Sequence, residues 1–384
     1  MNQIRPKKIL ILSADTGGGH DAASLAVREA LDLHYPGQTR VTIVNTFRKL
    51  AWWPANRLGD FHRFLGRPGL GHGMMAVIFH EEARPGPGQF VGLEFFYVLM
   101  VQRLRKFLMA HPDHLVVTAH PIVTQVAARV CGRLALTIPM VTLVTELARA
   151  PWTCFHPSAQ RCLVGTTELA EQAQSAGVEA HRLRVTGLPV GSGFQPSASP
   201  ASAHRADLGL PAELRLILLV GGAEGYGGPL AAIADSLARR LSDCHCQLVV
   251  VTGRNVALRA QLERTVFPIP LQTLGFVSDM HRWVRAADLV ITKPGPGTLC
   301  EVMAVGRPLL LFGGFPGPEQ VNVTYLRDRG VADYAAHPRE LAEKAGFLLS
   351  EGTTNLGEMA RQSGLTGAPG AARAVAQQLM TFPA

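Results

Sequence analysis

Three residues in this chain stand where side-chain chemistry usually happens, just past a buried strand. His20 closes the string Ser13-Ala14-Asp15-Thr16-Gly17-Gly18-Gly19-His20. His120 ends His114-Leu115-Val116-Val117-Thr118-Ala119-His120 and is followed by a proline. Glu146 follows Met140-Val141-Thr142-Leu143-Val144-Thr145. An imidazole titrates near neutrality, so it suits a general base that takes a proton from a hydroxyl, or a donor to a departing anion. A carboxylate at a strand end can act as base itself or orient a histidine. A second set favours anions. Lys293-Pro294-Gly295-Pro296-Gly297-Thr298 breaks an apolar run, and Thr298-Leu299-Cys300-Glu301 reads as a capping box that opens a helix. Helix-start amides behind a glycine-rich turn form an anion site, with phosphate the usual occupant. Gly221-Gly222-Ala223-Glu224-Gly225 repeats the plan earlier in the chain, and Arg254 ends a third run.

The elements that must position these groups are strands feeding turns and helices. Runs rich in Val, Ile and Leu predict buried parallel strands at 8–13, 41–44, 114–121, 140–147, 161–166, 214–220, 247–254, 273–277 and 287–292. Helices are predicted over 21–33, 122–130, 229–241 and 371–380, with another from 167 to about Ala176. Strand, glycine-rich turn, helix is the Rossmann opening, and it occurs twice. The fold class is therefore α/β with two Rossmann-like domains. The Ser-, Pro- and Ala-rich stretch from Gln195 to Ser202 predicts the connection, dividing the chain into 1–195 and 196–384.

Length and composition exclude much else. The 384 residues are 47% hydrophobic and 17% charged, enough for two folded domains with large cores. Lys and Arg number 37 against 29 Asp and Glu, a net charge of +8 that favours anionic partners. Aromatics are only 7% and do not interleave with basic residues, so no nucleic-acid partner is expected. The six Cys form no C-x-x-C pair, and no metal or cofactor is expected. No signal peptide and no apolar run long enough to span a membrane are read, which points to the cytoplasm.

One stretch departs from the Rossmann plan. Arg40 to Lys106 carries ten Lys and Arg against four Asp and Glu. Among them stand Trp52-Trp53, Phe61, Phe64, Phe79, Phe90 and Phe95-Phe96-Tyr97. Apolar bulk beside basic residues suits a surface lying on anionic lipid, and equally an amphipathic helix pair packed into the first domain. Pro85-Gly86-Pro87-Gly88 reads as a loop.

From Leu214 to Asn322, and again over Ser13 to His20, the chain resembles the family of monogalactosyldiacylglycerol synthases and bacterial diacylglycerol glucosyltransferases, and more distantly MurG. The matching residues are the glycine loop ending in His20, Gly221-Gly222-x-Glu224-Gly225, Gly275-Phe276-Val277, Thr292-Lys293, Gly295-Pro296-Gly297-Thr298, Glu301, and Glu319 with Asn322. The resemblance implies a GT-B fold whose domains face a cleft, with the last helix crossing back. It implies an inverting hexosyltransferase that takes a UDP-sugar donor and a lipid acceptor such as diacylglycerol, peripheral on the inner face of the cell membrane.

Carried over residue by residue, Gly17, Gly18, Gly19 and His120 would line the acceptor side, with His20 and Glu146 catalytic. Gly221, Gly222, Glu224, Gly225, Gly295, Gly297 and Thr298 would lie by the diphosphate, Lys293 would belong to the donor site, and Arg254 would either meet phosphate or cap its own turn. Phe276 and Val277 would hold uracil through their backbone, and Glu301 would accept from the ribose hydroxyls. Glu319, Gln320 and Asn322 would bind the hexose. Family members usually show Thr-Asp-Leu where this chain has Thr145-Glu146-Leu147, and the Thr and His that follow there are missing. An epimerase or hydrolase of the same fold, or a non-catalytic nucleotide-sugar sensor at the membrane, are the alternatives.

Overall fold

Parallel strands separated by helices build two sheets, one in each of two compact units of the chain. The computed structural model describes residues 5–16, 18–65, 87–133, 138–225, 229–314, 318–350 and 355–383.

In the first unit the strands are β1 (Lys7–Ser13), β2 (Thr39–Asn45), β3 (His114–Thr118), β4 (Met140–Leu143), β5 (Arg161–Val164) and β6 (Leu183–Val185). Their order in the sheet is β2-β1-β3-β4-β5-β6, and each neighbouring pair is parallel. Between them run α1 (Gly19–His34), α2 (Thr46–Leu50), α3 (Leu58–Leu65), α4 (Pro87–Met109), α5 (Pro121–Arg133) and α6 (Thr167–Ser175). The central strand β1 is covered on both faces, so its apolar run is continuous rather than alternating. Leu10 and Leu12 pack with Phe47, Met100 and Leu104 on one side. Ile9 and Ile11 pack with Val27 and Leu31 on the other.

In the second unit the strands are β7 (Arg215–Val220), β8 (Cys246–Val251), β9 (Leu271–Leu274), β10 (Leu289–Thr292), β11 (Leu309–Phe312) and β12 (Ala332–Ala335), in the order β12-β11-β10-β7-β8-β9. Its helices are α7 (Ala201–Asp207), α8 (Leu230–Arg240), α9 (Val256–Glu263), α10 (Met280–Ala286), α11 (Pro296–Val305), α12 (Pro318–Asp328), α13 (Pro338–Leu349) and α14 (Asn355–Thr366). In both sheets the strand order reverses at the first strand of the unit. The carboxyl ends beside such a switch point are where open α/β sheets bind ligands.

The units divide between Ser192 and Gly193, and residues 370–384 group with the first. The last helix, α15 (Ala371–Met380), buries Val375, Ala376 and Leu379 against α1 and the β1–β3 face. Lys7 donates through Nζ to the carbonyls of Leu379 (3.2 Å) and Met380 (2.9 Å), capping that helix at its negative end.

Three local expectations are corrected. The capping box at Thr298 does not form. Pro296 has its φ preset and needs no amide at a first helical position, so α11 starts there, with Gly295 as an N-cap that makes no side-chain hydrogen bond. Pro87-Gly88 is not loop but the opening of α4, while Pro85-Gly86 lies outside the described residues. The strand expected over 140–147 ends at Leu143, and Thr145 and Glu146 continue past the sheet.

Candidate active site

In the first unit the candidate groups gather at the carboxyl ends of β1, β3 and β4. Gly18 takes the left-handed conformation (φ 82°) as N-cap of α1, which turns the chain so that His20 falls in the first helical turn. Gly19 follows as the first helical residue; Gly17 lies outside the described residues. His20 Nδ1 stands 2.7 Å from Thr145 Oγ1, past the end of β4. Its ring meets that of His120 edge-on at 4.8 Å, and His120 meets Phe47 at 5.1 Å. His120 is buried, and its carbonyl accepts from the Thr124 amide at 2.9 Å as α5 begins. Glu146 is half-buried and is the residue after His20's partner.

Around this core lie residues that sequence reasoning did not single out. Ser13 Oγ donates to Asp21 Oδ1 at 2.6 Å. Burial raises the Asp21 carboxyl, nearby Asp15 adds to the rise, and the Ser13 bond opposes it. Asp15 receives Arg48 Nε at 2.6 Å, and Arg48 reaches on to Asp60 at 3.0 Å. For Asp15, burial opposes ionisation, but hydrogen bonds from Asn45 and Arg48 outweigh it and hold the carboxyl low. Gly59 allows this packing, since a Cβ there would lie 2.4 Å from Asp15 Oδ1. The glycine loop is thus tied to α2 and α3 by charge. The one available signal was Asp15 within the loop string, an acid beside a chain rich in Arg.

In the second unit, the turns after β7 and β8 lock together. Gly225 has φ 67°, and a Cβ there would fall 1.9 Å from Thr252 O, so no other residue fits. Arg254 N donates to Ala223 O at 2.9 Å, and Arg254 Nη1 donates to Glu224 Oε1 at 2.8 Å. The guanidinium also lies 4.4 Å from the centroid of the Phe276 ring, a residue 56% exposed. Arg254 therefore joins the glycine turn to the Phe276–Val277 segment after β9. Gly221 N donates to Val251 O at 3.0 Å, closing the base of the turn.

Lys293 follows β10 and runs beside Gly222, its Cε 3.5 Å from where a Cβ on that glycine would sit. Its ammonium group pairs with Glu319 on α12. The amides of Gly297 and Thr298, in the first turn of α11, have no partner within the helix and carry its positive end. Gly222, Lys293, Gly295 and the start of α11 thus converge on one small region. Asn322 is buried and donates through Nδ2 to Pro294 O at 3.0 Å, fixing the turn. Gln320 Nε2 donates to Gly313 O at 3.2 Å. Glu301 lies in α11 and keeps some surface exposure, yet burial pushes its carboxyl up to about 7. Among the described residues no group of three His, Cys, Asp or Glu is arranged to hold a metal ion. No described helix is long and apolar enough to cross a membrane.

Two family models match the chain. One, described as monogalactosyldiacylglycerol (MGDG) synthase, covers residues 20–190. The other, the glycosyltransferase family 28 C-terminal domain, covers residues 216–375. Monogalactosyldiacylglycerol synthase 1, chloroplastic, of Arabidopsis thaliana is 34% identical over 351 residues, which are 88% of this chain and 64% of that protein. This chain therefore spans just under two thirds of that relative's length. A probable monogalactosyldiacylglycerol synthase 2, chloroplastic, of Oryza sativa subsp. indica is 32% identical over 93% of this chain and 76% of its own length. MurG of Acinetobacter baumannii superposes with a TM-score of 0.63 at 17% identity, covering 98% of this chain and 100% of the other. The fold is therefore that of the GT-B glycosyltransferases, and the chain belongs to the monogalactosyldiacylglycerol synthase family.

Proposed function

We propose that this protein is an inverting hexosyltransferase that moves a hexose from a UDP-sugar to a lipid hydroxyl, with diacylglycerol the acceptor, at a membrane surface. The observation that carries the reading is the convergence of Gly222, Lys293, Gly295 and the α11 N-terminus, with Glu301 one turn further along that helix. One ammonium group and a helix start suit a diphosphate, and a carboxylate beyond them suits the ribose diol.

In this reading His20 Nε2 takes the proton of the acceptor hydroxyl. The acceptor oxygen attacks the anomeric carbon opposite the diphosphate, the carbon–oxygen bond to UDP breaks, and configuration inverts. Lys293 and the α11 amides stabilise the leaving diphosphate, an electrostatic role that fixed donors fill well. Arg254 stacks on Phe276 and braces the segment assigned to uracil. Glu146 assists at the acceptor, and Gln320 stands by the hexose, while buried Asn322 holds the turn at Pro294 rather than meeting the sugar.

The outer face of α4 supports the membrane part. Val91 (71% exposed), Phe95 (48%) and Val98 (66%) form an i, i+4, i+7 stripe on a helix already apolar on its inner side. Trp52 joins α4 through its amide, which donates to Leu99 O at 2.9 Å, and Trp53 beside it is 76% exposed. Arg103 lies over the Trp52 ring at 3.9 Å. Exposed aromatics beside Arg and Lys suit an anionic lipid interface.

The test is incubation with radiolabelled UDP-galactose, UDP-glucose or UDP-N-acetylglucosamine and diacylglycerol in anionic vesicles. Label in the lipid phase, lost in His20→Ala and in Glu301→Ala, is expected. UDP binding without lipid label from any donor would overturn diacylglycerol as the acceptor.

A further inference from the structure

Thr145 is 6% exposed, and its hydroxyl stands 2.7 Å from His20 Nδ1, across 125 positions of sequence. The His20 ring is held on another side by His120, which is itself braced by Phe47. Thr124 fixes the His120 backbone through both its amide and its hydroxyl, at 2.9 and 3.1 Å. A hydrogen bond at one ring nitrogen of a histidine fixes the ring's orientation and the tautomer it holds. A hydroxyl also differs from a carboxylate in adding no charge beside the imidazole.

We infer that Thr145 is a positioning residue. It accepts a hydrogen bond from His20 Nδ1–H and so keeps the Nε2 lone pair turned toward the acceptor hydroxyl. The inference rests on His20 being the base. It assigns the supporting role to Thr145, one residue before the Glu146 carboxylate expected there.

The experiment compares Thr145→Val, Thr145→Ser and His20→Ala in the diacylglycerol assay, using the UDP-hexose that transfers. Val keeps the shape and removes the hydroxyl. Turnover should fall roughly ten- to a hundredfold in Thr145→Val, the scale set by losing orientation of a reacting group, with the donor KM changed by less than about twofold. Thr145→Ser should recover turnover to within about threefold of the parent. Thr145→Val turning over within about twofold of the parent overturns the inference. If His20→Ala also keeps its turnover, the base reading itself has failed; if His20→Ala is silent while Thr145→Val is active, only the role of Thr145 has. Nitrogen-15 spectra of His20 in the unsubstituted protein give a second test that no folding defect can obscure. The neutral ring should carry its proton on Nδ1, and a neutral ring protonated on Nε2 would refute the assignment.

Discussion

Lys293 and Glu319 form an ion pair between the turn after β10 and the first turn of α12, with the Glu319 side chain only 10% exposed. The pair sets the ammonium group beside Gly222 and Gly295 and ties two segments of the proposed donor site together.

Removing one partner should therefore cost more than removing both. Lys293→Met removes the cationic partner of a nearly buried carboxylate, and a loss of about 3 kcal/mol in stability is expected. Lys293→Met with Glu319→Gln should regain more than half of that loss in denaturant melts. Both variants should bind UDP at least roughly tenfold more weakly by calorimetry, since a charge-assisted contact to phosphate is gone from each. Unchanged UDP affinity in Lys293→Met would remove Lys293 from the donor site.

With Glu301 as the ribose acceptor, donor binding is expected to depend on pH. Its carboxyl titrates at about 7, above the ordinary 4.5. In that role it is a poor acceptor when protonated below 7 and a good one when ionised above 7. UDP affinity should rise with pH across this range, by up to about tenfold per unit on the acid side, with release of a proton. Glu301→Gln should flatten the profile. For the free protein the same shift runs the other way. The folded state holds this proton more tightly than the unfolded chain does, so stability from this group falls between about pH 4.5 and 7. Calorimetry in buffers of different ionisation enthalpy reads the proton release directly.

Gly225→Ala should be far more damaging than an ordinary glycine substitution. The new Cβ would meet Thr252 O at 1.9 Å, and the left-handed backbone adds about 1–2 kcal/mol. The turns after β7 and β8 must separate to accept it, so UDP binding should be lost and thermal stability should drop. Gly37→Ala is the control. It has φ 72° with nothing within 4 Å of the added carbon, and only the backbone term, about 1 kcal/mol, is expected.

The α4 face is tested by charge. Phe95→Asp with Val98→Asp should leave the fold and UDP binding intact, because both side chains point away from the core. Co-sedimentation with anionic vesicles should fall several-fold, and transfer to vesicle-borne diacylglycerol should fall with it. Equal sedimentation of the variant and the parent would place the membrane contact elsewhere.

Most of the inner strands were legible in the amino-acid sequence because they are continuous apolar runs, whereas the edge strands at 183–185 and 332–335 were not, being short or mixed in polarity. The two glycine turns and the last helix at Ala371–Met380 were legible because local composition and spacing carry local structure, while His20, Lys293 and Glu301 became candidates through the family resemblance of the strings that hold them. Where α11 begins was misread, because Thr298-x-x-Glu301 has the pattern of a capping box while Pro296 competes for the helix start two residues earlier. Tertiary structure alone decided who meets whom. Thr145 meets His20, Arg254 lies on Phe276 and pairs with Glu224, and Lys293 reaches Glu319. These partners are set by strand order, which lays β3 between β1 and β4 and puts β10 beside β7. Hydrophobic periodicity says that a strand is buried but not which strand lies next to it, so contacts between distant strand ends follow only from the packed sheets.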